Sequence, residues 1–596
     1  MTGRAFSADA PQITVLDAGG QYCHLIARKV RDLGVYADVR PSDTPAADLA
    51  GRKGIIISGG PSSVYDPGCP TVDPAIFNPG GPAVLGICYG LQLMAHLLGG
   101  EVLKGEKGEF GLATLELDAP AADLLFQALP PRQQVWMSHR DVVTGLPGGF
   151  SVLGATGACA VAAMSEPVRR LYAVQFHPEV VHTHQGLEIY SNFLFKICGC
   201  QRDWDPKHRI PSIEEDIRRV VGDRNVFFFV SGGVDSTVAY TMCLRALGGS
   251  RVRGVYVDTG LMREGETDFV RSTFDALGAG TVEIDRAQDR FLAALAGVCD
   301  PERKRHIIGE QFLEEQERIV ESYGLLDGHW ILGQGTIYPD TIESGGTERA
   351  ETIKTHHNRV AGVQKLLQAG RVVEPLSSFY KDEVRQIGAE LGLPSKLLER
   401  HPFPGPGLAI RCLCAETGAA PVPTPDGFLI PIRSVGVQGD SRSYAPVLAI
   451  DAGADNNLHQ TATELINRIA GINRVIALVR GKTPLDRLRV WPGSLSAERL
   501  EKLRHADAVV RKLSAGSGFE DTIWQFPVVL IPLGSAASPD SIVLRPVDSV
   551  DGMTAQSAPI PGPLLDSISE EILAQPGLCC VFYDLTNKPP GTIEWE

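Results

Sequence analysis

A cysteine, a histidine and a glutamate in the first third of the chain could act together as a nucleophile and its base. Cys88 is flanked by glycines after the apolar run at residues 83–87, a pattern that predicts a helix starting at the thiol. A helix N-terminus lowers the pKa of a thiol because it favours the thiolate. His177 follows another apolar run, and Glu179, two positions later, can orient the imidazole as a base. We therefore predict a catalytic triad of Cys88, His177 and Glu179.

A buried and inert thiol is the alternative for Cys88, since that is the commonest state of a free cysteine. The glycine-flanked turn, the His-x-Glu pair and a glycine turn at Gly59 and Gly60 occur together, and this combination favours the nucleophile. His182 and His184 raise the alternative of a metal site. No third ligand stands at helical spacing, so we expect solvated or packing histidines there.

Residues 231–237, with the sequence Ser-Gly-Gly-Val-Asp-Ser-Thr, have the composition of a phosphate-binding turn. They follow an apolar run and precede a helical pattern at residues 238–247. Backbone N–H groups of a glycine turn, hydroxyl groups and a helix N-terminus together form a cradle for anions. The turn lacks the Lys-Ser/Thr pair of a Walker A motif, and a chance turn of small residues is the alternative. Asp235 would repel phosphate, so we interpret it as a ligand for Mg²⁺.

The composition limits the class of protein. A chain of 596 residues exceeds one hydrophobic core and predicts about four domains. Its net charge of −15 disfavours nucleic-acid and anionic-membrane partners. No apolar run reaches the ~18 residues of a membrane helix, and residues 1–6 lack the apolar core of a signal peptide, so we expect a cytoplasmic protein. The 12 cysteines do not have the spacing of zinc sites.

Strand, turn and helix alternate twice along the chain, as in open parallel sheets with helices on both faces. We predict an α/β fold with two doubly wound α/β domains, at residues 1–203 and 204–410. A polar, proline-punctuated stretch at residues 201–213 has the composition of a linker between them.

The remainder of the chain repeats itself weakly. Residues 428–432 resemble residues 529–533, at a separation of about one hundred residues. The repeat predicts a duplicated α+β C-terminal module, at residues 411–520 and 521–596. A coincidence between two apolar strands is the alternative.

The first segment resembles the class I glutamine amidotransferase family, on the motifs that contain Cys88, His177 and Glu179. The resemblance implies that Cys88 attacks the side-chain amide of glutamine and that His177 protonates the departing ammonia. The implied oxyanion and glutamine-binding positions are Gly60, Tyr89, Gln92, Ser138 and His139. The chain departs from the family at Arg140, where relatives usually have glycine.

Residues 231–237 resemble the signature of the PP-loop ATP pyrophosphatase family, whose members release pyrophosphate while adenylating an acceptor oxygen. The implied ATP-binding positions are Ser231, Gly232, Gly233, Val234, Asp235, Ser236, Thr237, Val257 and Lys381. Lys381 matches a lysine that neutralises phosphate, and a solvated helix-face lysine is the alternative. The chain departs from this family at Thr259, where relatives more often have asparagine.

The segments at residues 333–340, 353–358, 401–408 and 588–596 resemble the glutamine-hydrolysing GMP synthetase family, and the resemblance covers essentially the whole chain. It implies amination of XMP at C2 with ammonia from glutamine, through an adenyl-XMP intermediate, to give GMP, AMP and pyrophosphate. ATP would act with Mg²⁺. The implied XMP-binding positions are Arg305, Lys588 and Glu594.

Longer members of this family carry two copies of the C-terminal module, which is of the dimerisation type, and this chain resembles the longer members. We expect the copies to pack as an internal pseudo-dimer, which would allow a monomer, and a homodimer is the alternative. Two other functions stay open. One is another PP-loop amidotransferase such as an NAD synthetase, although that family pairs its loop with a different glutaminase. The other is a non-catalytic nucleotide-sensing scaffold.

Overall fold

The structure is a computed structural model that describes residues 10–20, 22–118, 123–277, 282–343, 361–400, 403–438, 441–451, 457–549 and 555–596. The motif at residues 353–358 and the first two residues of the motif at 401–408 lie outside these ranges, as do residues 1–6. None of the helices within these ranges combines the length and the apolar character that a membrane crossing requires.

The N-terminal sheet contains nine strands and is flanked by three helices. The strands are β1 (Ile13–Asp17), β2 (Ala37–Pro41), β3 (Gly54–Ile57), β4 (Ala83–Ile87), β5 (Glu101–Leu117), β6 (Arg132–Gly145), β7 (Ser151–Ala155), β8 (Ala163–Glu166) and β9 (Leu171–Val174). The helices are α1 (Cys23–Asp32), α2 (Tyr89–Leu97) and α3 (Gly186–Ser191). The strand order is β2-β1-β3-β4-β9-β8-β7-β5-β6. The strands from β2 to β9 in this order are parallel, and the other four pair antiparallel.

Successive residues of the parallel strands lie in two separate apolar clusters. Val15 and Leu85 belong to one cluster, whereas Leu16 and Val84 belong to the other. Because side chains alternate between the faces of a strand, both faces of the sheet are buried. This explains why the strands consist of continuous apolar runs, and it is the arrangement of a doubly wound sheet.

The central sheet has five parallel strands. They are β10 (Asn225–Phe229), β11 (Val252–Asp258), β12 (Val282–Arg286), β13 (Trp330–Gly333) and β14 (Val372–Val373), in the order β12-β11-β10-β13-β14. The helices of this region are α4 (Ile210–Val221), α5 (Val234–Leu247), α6 (Glu266–Ala276), α7 (Gln288–Ala294), α8 (Pro301–Ser322), α9 (Tyr338–Glu343), α10 (Ala361–Gln368), α11 (Lys381–Glu390) and α12 (Ser395–Leu398). Phe227 and Phe228 lie in different apolar clusters, so both faces of this sheet are buried as well.

The C-terminal sheet has seven strands in the order β15-β16-β17-β18-β25-β22-β20. Its strands are β15 (Val422–Thr424), β16 (Gly427–Gln438), β17 (Ser441–Asp451), β18 (Arg474–Gly481), β20 (Val528–Ile531), β22 (Asp540–Leu544) and β25 (Leu578–Asp584). Two small pairs accompany it, β19 (Arg489–Val490) with β21 (Leu533–Gly534) and β23 (Val547–Asp548) with β24 (Gln556–Ser557). The helices are α13 (Leu458–Arg468), α14 (Ala497–Ser517) and α15 (Gly562–Ala574).

The C-terminal sheet consists of two halves with the same connectivity. In each half an antiparallel pair of strands is followed by a helix and a strand parallel to the second strand of the pair. The halves meet where β18 and β25 pair antiparallel, with Leu478 opposite Phe582. The repeat found in the sequence therefore forms one continuous sheet. The predicted fold class, two α/β sheets followed by α+β structure, is confirmed.

The stretch at residues 201–213, which has the composition of a linker, is folded over its second half. Helix α4 begins at Ile210 and accepts Pro211 in its first turn, where proline removes no helical hydrogen bond. Trp204 is buried and stacks on Tyr36 with 4.4 Å between ring centroids. The segment therefore packs the N-terminal sheet against α4 instead of separating them.

Candidate active sites

Cys88 lies between β4 and α2 in a conformation that few residues other than glycine adopt. Its φ angle is 53°, and its side chain is buried. A Cβ at Gly86 would stand 2.5 Å from the carbonyl oxygen of Gly90, and a Cβ at Gly90 would stand 2.5 Å from that of Ile57. Glycine at both positions therefore lets the strand turn sharply into the helix, and the turn presents Cys88 at the helix N-terminus.

His177 follows β9 and contacts both Cys88 and Glu179. Its Nδ1 lies 2.7 Å from Oε1 of Glu179, and both side chains are buried. Burial favours the neutral imidazole, but hydrogen bonds to Cys88 and Glu179 outweigh it and raise the pKa of His177 to about 10. The ring of Tyr22 packs edge-on against the imidazole, with 5.4 Å between centroids. The structure brings the three predicted triad residues together.

The glycine turn after β3 packs closely against the triad. A Cβ at Gly59 would stand 3.1 Å from Cε1 of His177 and 3.6 Å from Cβ of Cys88. A Cβ at Gly60 would stand 2.5 Å from a backbone carbonyl oxygen. The close approach thus requires residues without side chains at this turn. The two predicted oxyanion positions, Gly60 and Tyr89, are sequence neighbours of Gly59 and Cys88, which the turn brings together.

Gln92 and His139 converge on one carbonyl group. Nε2 of Gln92 donates to the carbonyl oxygen of Asp141 at 3.0 Å, and Nδ1 of His139 lies 3.0 Å from the same oxygen. Nε2 of His139 is 3.3 Å from a carboxylate oxygen of Glu109. The carbonyl oxygen of Ser138 lies 3.6 Å from the triad thiol. Gln92 and His139 therefore brace the strand that places Ser138 beside Cys88.

Three other residues singled out in the sequence lie at the surface of the same region. Arg140 and His184 are exposed. His182 is exposed too and packs on Trp136, with 4.6 Å between ring centroids. Over the described ranges, no cluster of three or more histidine, cysteine or acidic side chains is arranged to hold a metal ion.

The turn at residues 231–237 joins β10 to α5 and is held by its own side chains. Gly232 has a φ angle of 73°. The hydroxyls of Ser231 and Ser236 are 2.9 Å apart, and Thr237 donates to the carbonyl oxygen of Gly233 at 2.8 Å. Helix α5 begins directly after Gly233. The N-terminus of α5 therefore lies at the carboxyl edge of the central sheet, where open α/β sheets bind ligands.

Lys381, the first residue of α11, reaches this turn from another helix. Its Nζ lies 2.6 Å from Oδ2 of Asp235. Oδ1 of Asp235 is buried and has no hydrogen-bond partner among the residues that the structure describes. One positive and one negative group thus stand together beside the turn at residues 231–237.

The end of β11 lies next to the same turn, because β10 and β11 pair in parallel. Val257 is buried there. The carboxylate of Asp258 accepts from the N–H of Gly260 at 3.0 Å and from Nε2 of Gln288 at 2.8 Å. The hydroxyl of Thr259 accepts from a backbone N–H at 3.3 Å. These bonds fix the backbone at the carboxyl edge of the central sheet, where open α/β sheets bind ligands.

Cations from two parts of the chain hold the acidic side chains of the C-terminal tail, residues 588–596. Arg411 donates to both carboxylate oxygens of Glu594, at 2.6 and 2.9 Å. Lys304 of α8 pairs with the side-chain carboxylate of Glu596 at 2.7 Å, and Arg305 donates to a main-chain oxygen of Glu596. Two of the three predicted XMP-binding residues, Arg305 and Glu594, therefore lie around the same stretch of tail.

The tail is built into the fold along its length. The N–H of Lys588 donates to a backbone carbonyl oxygen at 2.7 Å. Trp595 is fully buried, and its Nε1 donates to Asp584 at 2.9 Å. Arg474 donates to the same carboxylate at 2.9 Å and to the carbonyl oxygen of Thr592 at 2.8 Å. The last residues of the chain thus have fixed partners rather than a frayed end.

Similar proteins match nearly the whole length of the chain. Residues 14–197 match the model of the family described as glutamine amidotransferase class-I, and residues 513–595 match that of the GMP synthase C terminal domain. A Leptospira interrogans protein named probable GMP synthase (glutamine-hydrolyzing) is 42% identical, over 98% of this chain and 99% of the relative. The chain belongs to the glutamine-hydrolysing GMP synthase family. Other GMP synthases are similar: that of Symbiobacterium thermophilum is 42% identical over 98% of this chain and 99% of its own, and that of Thermobifida fusca 39% over 99% of each.

Membership of the GMP synthase family confirms the enzyme class expected from the motifs. Sequence reasoning did not find the residues that hold the site residues in place, namely Asp141, Glu109 and Arg411. Glu109 faces His139 across the β5–β6 pair, and that register cannot be derived from either strand alone. Arg411 did leave a signal, because a charge between the apolar residues 408–410 and 412–413 indicates a buried, paired cation.

Proposed function

We propose that this member of the GMP synthase family hydrolyses glutamine at Cys88 and uses the ammonia to aminate XMP at C2. ATP activates XMP as adenyl-XMP, and the products are glutamate, GMP, AMP and pyrophosphate. The observation that carries the proposal is the position of His177 between Glu179 and the Cys88 turn, because this arrangement activates a thiol. Nδ1 of His177 lies 2.7 Å from Glu179, and a Cβ at Gly59 would stand 3.1 Å from Cε1 of His177 and 3.6 Å from Cβ of Cys88. The phosphate-binding turn in the same chain supports the second half-reaction.

Hydrolysis begins when the Cys88 thiolate attacks the side-chain amide carbon of glutamine. The carbonyl π electrons move to oxygen, where the backbone N–H groups of Gly60 and Tyr89 stabilise the oxyanion. The C–N bond then breaks, and His177 gives its proton to the departing nitrogen, which leaves as ammonia. Water attacks the thioester with His177 as base, which releases glutamate and restores Cys88. Glu179 keeps the imidazole oriented through Nδ1.

In the second half-reaction the C2 oxygen of XMP attacks the α-phosphorus of ATP. The bond to the bridging oxygen breaks, and pyrophosphate leaves into the turn at residues 231–237. Lys381 neutralises part of the developing charge, and the backbone at Val257 contacts the nucleoside. Ammonia then attacks C2, and AMP departs with the former C2 oxygen.

Mg²⁺ fits the donor set beside the turn. Oδ1 of Asp235 is a buried carboxylate oxygen without a hydrogen-bond partner among the described residues, and such oxygens are the ligands that Mg²⁺ prefers. We therefore assign Asp235 as the protein ligand of the Mg²⁺ that accompanies ATP. The ion would neutralise phosphate charge there, while Lys381 holds the other carboxylate oxygen in place.

We assign the recognition of XMP to Arg305, Lys588 and Glu594. A xanthine ring carries N–H groups that a carboxylate such as Glu594 accepts, and the 5′-phosphate requires cations. The approach of α8 to the tail supports a shared site, since Arg305 contacts Glu596, two residues after Glu594.

The organisation of the chain follows from its three sheets. We propose a glutaminase domain at residues 1–203, an ATP pyrophosphatase domain at 204–410 and C-terminal modules at 411–520 and 521–596. The antiparallel pairing of β18 with β25 supports an internal pseudo-dimer, and hence a monomer. We propose the cytoplasm as its location, as for a biosynthetic enzyme of this family. Light scattering that finds an obligate homodimer at micromolar concentration would overturn the monomer.

The proposal is tested by measuring GMP formation from XMP and ATP with two nitrogen sources. Replacement of Cys88 by alanine should abolish activity with glutamine and leave activity with ammonium salts, because only the first source requires the thiol. Substitution of a buried thiol that faces the apolar core, Cys243→Ala, is the control and should change neither activity. Full glutamine-dependent activity of the Cys88→Ala variant would show that the triad is assigned wrongly.

A further inference from the structure

Arg411 holds the carboxylate of Glu594 from its buried side. The guanidinium donates from Nε to Oε2 at 2.9 Å and from Nη2 to Oε1 at 2.6 Å, so the two planar groups meet side by side. The side chain of Arg411 is 0% exposed, whereas that of Glu594 is 19% exposed. The carboxylate therefore has one face fixed by the protein and another that opens outward.

The backbone of Arg411 is tied to both the central and the C-terminal sheet. Its carbonyl oxygen accepts from the N–H of Leu530 in β20 at 2.8 Å. Its N–H donates to the carbonyl oxygen of Leu408, and the N–H of Leu408 donates at 2.7 Å to that of Leu261. Leu261 follows β11 at the carboxyl edge of the central sheet. Arg411 is thus placed by hydrogen bonds relative to the edge at which we propose that ATP binds.

Gly407 makes this placement possible. Its φ angle is 63°, and a Cβ at this position would stand 2.3 Å from the carbonyl oxygen of Leu261. The segment carrying Arg411 therefore lies as close to the end of β11 as backbone allows.

Glu594 retains free acceptor capacity in this arrangement. A carboxylate offers about four lone-pair sites, and the fork from Arg411 uses two of them. The neighbouring buried cations have other partners, since Arg474 and Arg545 both donate to Asp584, and Lys304 pairs with Glu596. The outward lone pairs of Glu594 can therefore accept a ring N–H group of a xanthine base.

We propose that Arg411 is a positioning residue for the acceptor nucleotide, because it sets the orientation in which Glu594 meets the purine base. This inference rests on the proposed role of Glu594 in binding XMP. Arg411 itself does not touch the nucleotide. Lysine cannot replace it, because an ammonium group donates as a point charge and does not lock the plane of a carboxylate.

The first test is Arg411→Lys, assayed with ammonium salts so that the glutaminase site plays no part. Lysine cannot form the bidentate pair with Glu594. We therefore expect the KM for XMP to rise by roughly 10- to 100-fold and the KM for ATP to stay unchanged. Arg499→Lys is the matched control, because Arg499 is also buried and donates to a carboxylate, that of Asp540, at 2.9 Å. An equal rise in the KM for XMP in the control would mean general loosening of the C-terminal sheet and would overturn the inference.

The second test is a double-mutant cycle that combines Arg411→Lys with Glu594→Gln. If Arg411 acts through Glu594, adding Arg411→Lys to Glu594→Gln should raise the KM for XMP by less than about twofold beyond the single variant. Additive effects would show that Arg411 acts independently of Glu594 and would overturn the inference. Should Arg411→Lys not fold, Arg411→Gln takes its place with the same expectations. An unchanged KM for XMP in Glu594→Gln would instead refute the proposed role of Glu594 itself.

Discussion

Arg31 of α1 and Glu383 of α11 form an ion pair with 3.1 Å between Nη1 and Oε2, and both side chains are buried. The guanidinium lies over four aromatic rings, those of Tyr36, Trp204, Tyr338 and Tyr380. The pair thus joins the unit that carries the proposed triad to the helix that begins with Lys381. Two half-reactions in one chain require the two units to stay together, and this contact is central to their interface.

Replacing Arg31 by methionine should destabilise the protein strongly. Removing one partner of a buried pair leaves the other charge uncompensated, which costs about 3–5 kcal/mol. Arg28→Met is the matched control, because Arg28 pairs with Asp382 of the same helix at 3.4 Å but is 47% exposed; loss of this pair should cost about 0–1 kcal/mol. Urea unfolding followed by fluorescence measures both. Similar shifts of the midpoint in both variants would contradict the assignment of Arg31–Glu383 as the main polar contact.

The pKa of His177 predicts a loss of stability in alkaline solution. Burial lowers this pKa, but hydrogen bonds to Cys88 and Glu179 raise it to about 10, above the value of about 6.5 in an unfolded chain. The folded state therefore binds the proton more tightly. The resulting stabilisation is complete below about pH 6.5 and is lost as the pH rises towards 10.

Glu179→Gln tests this pH dependence together with the triad. The amide carries no charge, so the pKa of His177 should fall, and the difference in stability between pH 7 and pH 10 should shrink. Glutamine-dependent GMP formation should fall by about 10²- to 10⁴-fold, because the imidazole loses its orienting carboxylate. Activity with ammonium salts is the internal control and should persist. If stability depended on pH in the same way in the variant, Glu179 would not be the group that raises the pKa of His177.

Alanine at Gly90 should abolish the glutaminase reaction alone. The added Cβ would stand 2.5 Å from the carbonyl oxygen of Ile57, so the turn that carries Cys88 would have to move. Gly148→Ala is the control, since nothing lies within 4 Å of a Cβ there and its φ angle is ordinary. The ratio of glutamine-dependent to ammonium-dependent activity reports the effect. A Gly90→Ala variant with the ratio of the unaltered enzyme would rule out a strained nucleophile turn.

Asp235→Asn should weaken the response to Mg²⁺. A neutral amide is a poorer ligand than a carboxylate, and we expect the Mg²⁺ concentration for half-maximal activity with ammonium salts to rise by roughly tenfold. Asp268→Asn changes an exposed acidic residue of α6 and should leave the titration unchanged. If Asp235→Asn lowered the maximal rate at an unchanged Mg²⁺ requirement, Asp235 would act on ATP or on Lys381 rather than on the metal.

Much of the fold was readable from the sequence because the parallel strands are buried on both faces. The runs at residues 13–17 and 83–87 coincide with β1 and β4. Those at residues 55–57, 252–257 and 330–332 are each one residue shorter than β3, β11 and β13. Apolar residues at helical spacing indicate a helix at residues 310–322, but helix α8 begins at Pro301. The first turns of α8 consist mostly of charged residues, so they show no apolar spacing that would indicate a helix. Asp300 caps the helix by accepting from the N–H of Arg303 at 2.8 Å.

The candidate sites also contain residues that the sequence predicts and residues that it does not. Residues that belong to a local motif, such as Cys88 and Ser231, were predicted because turn chemistry is encoded within a few positions. Partners that come from distant segments were not. Arg411 and Glu594 are separated by 183 residues, and only the folded sheet brings their charges together.

The pairing of β18 with β25 also bears on how the molecule responds to dilution. Because both strands belong to one polypeptide, their contact is intramolecular, and its strength does not depend on protein concentration as that of two separate chains would. The two halves are also free to differ, so that a single tail with Glu594 and Trp595 suffices where a symmetric pair would need two.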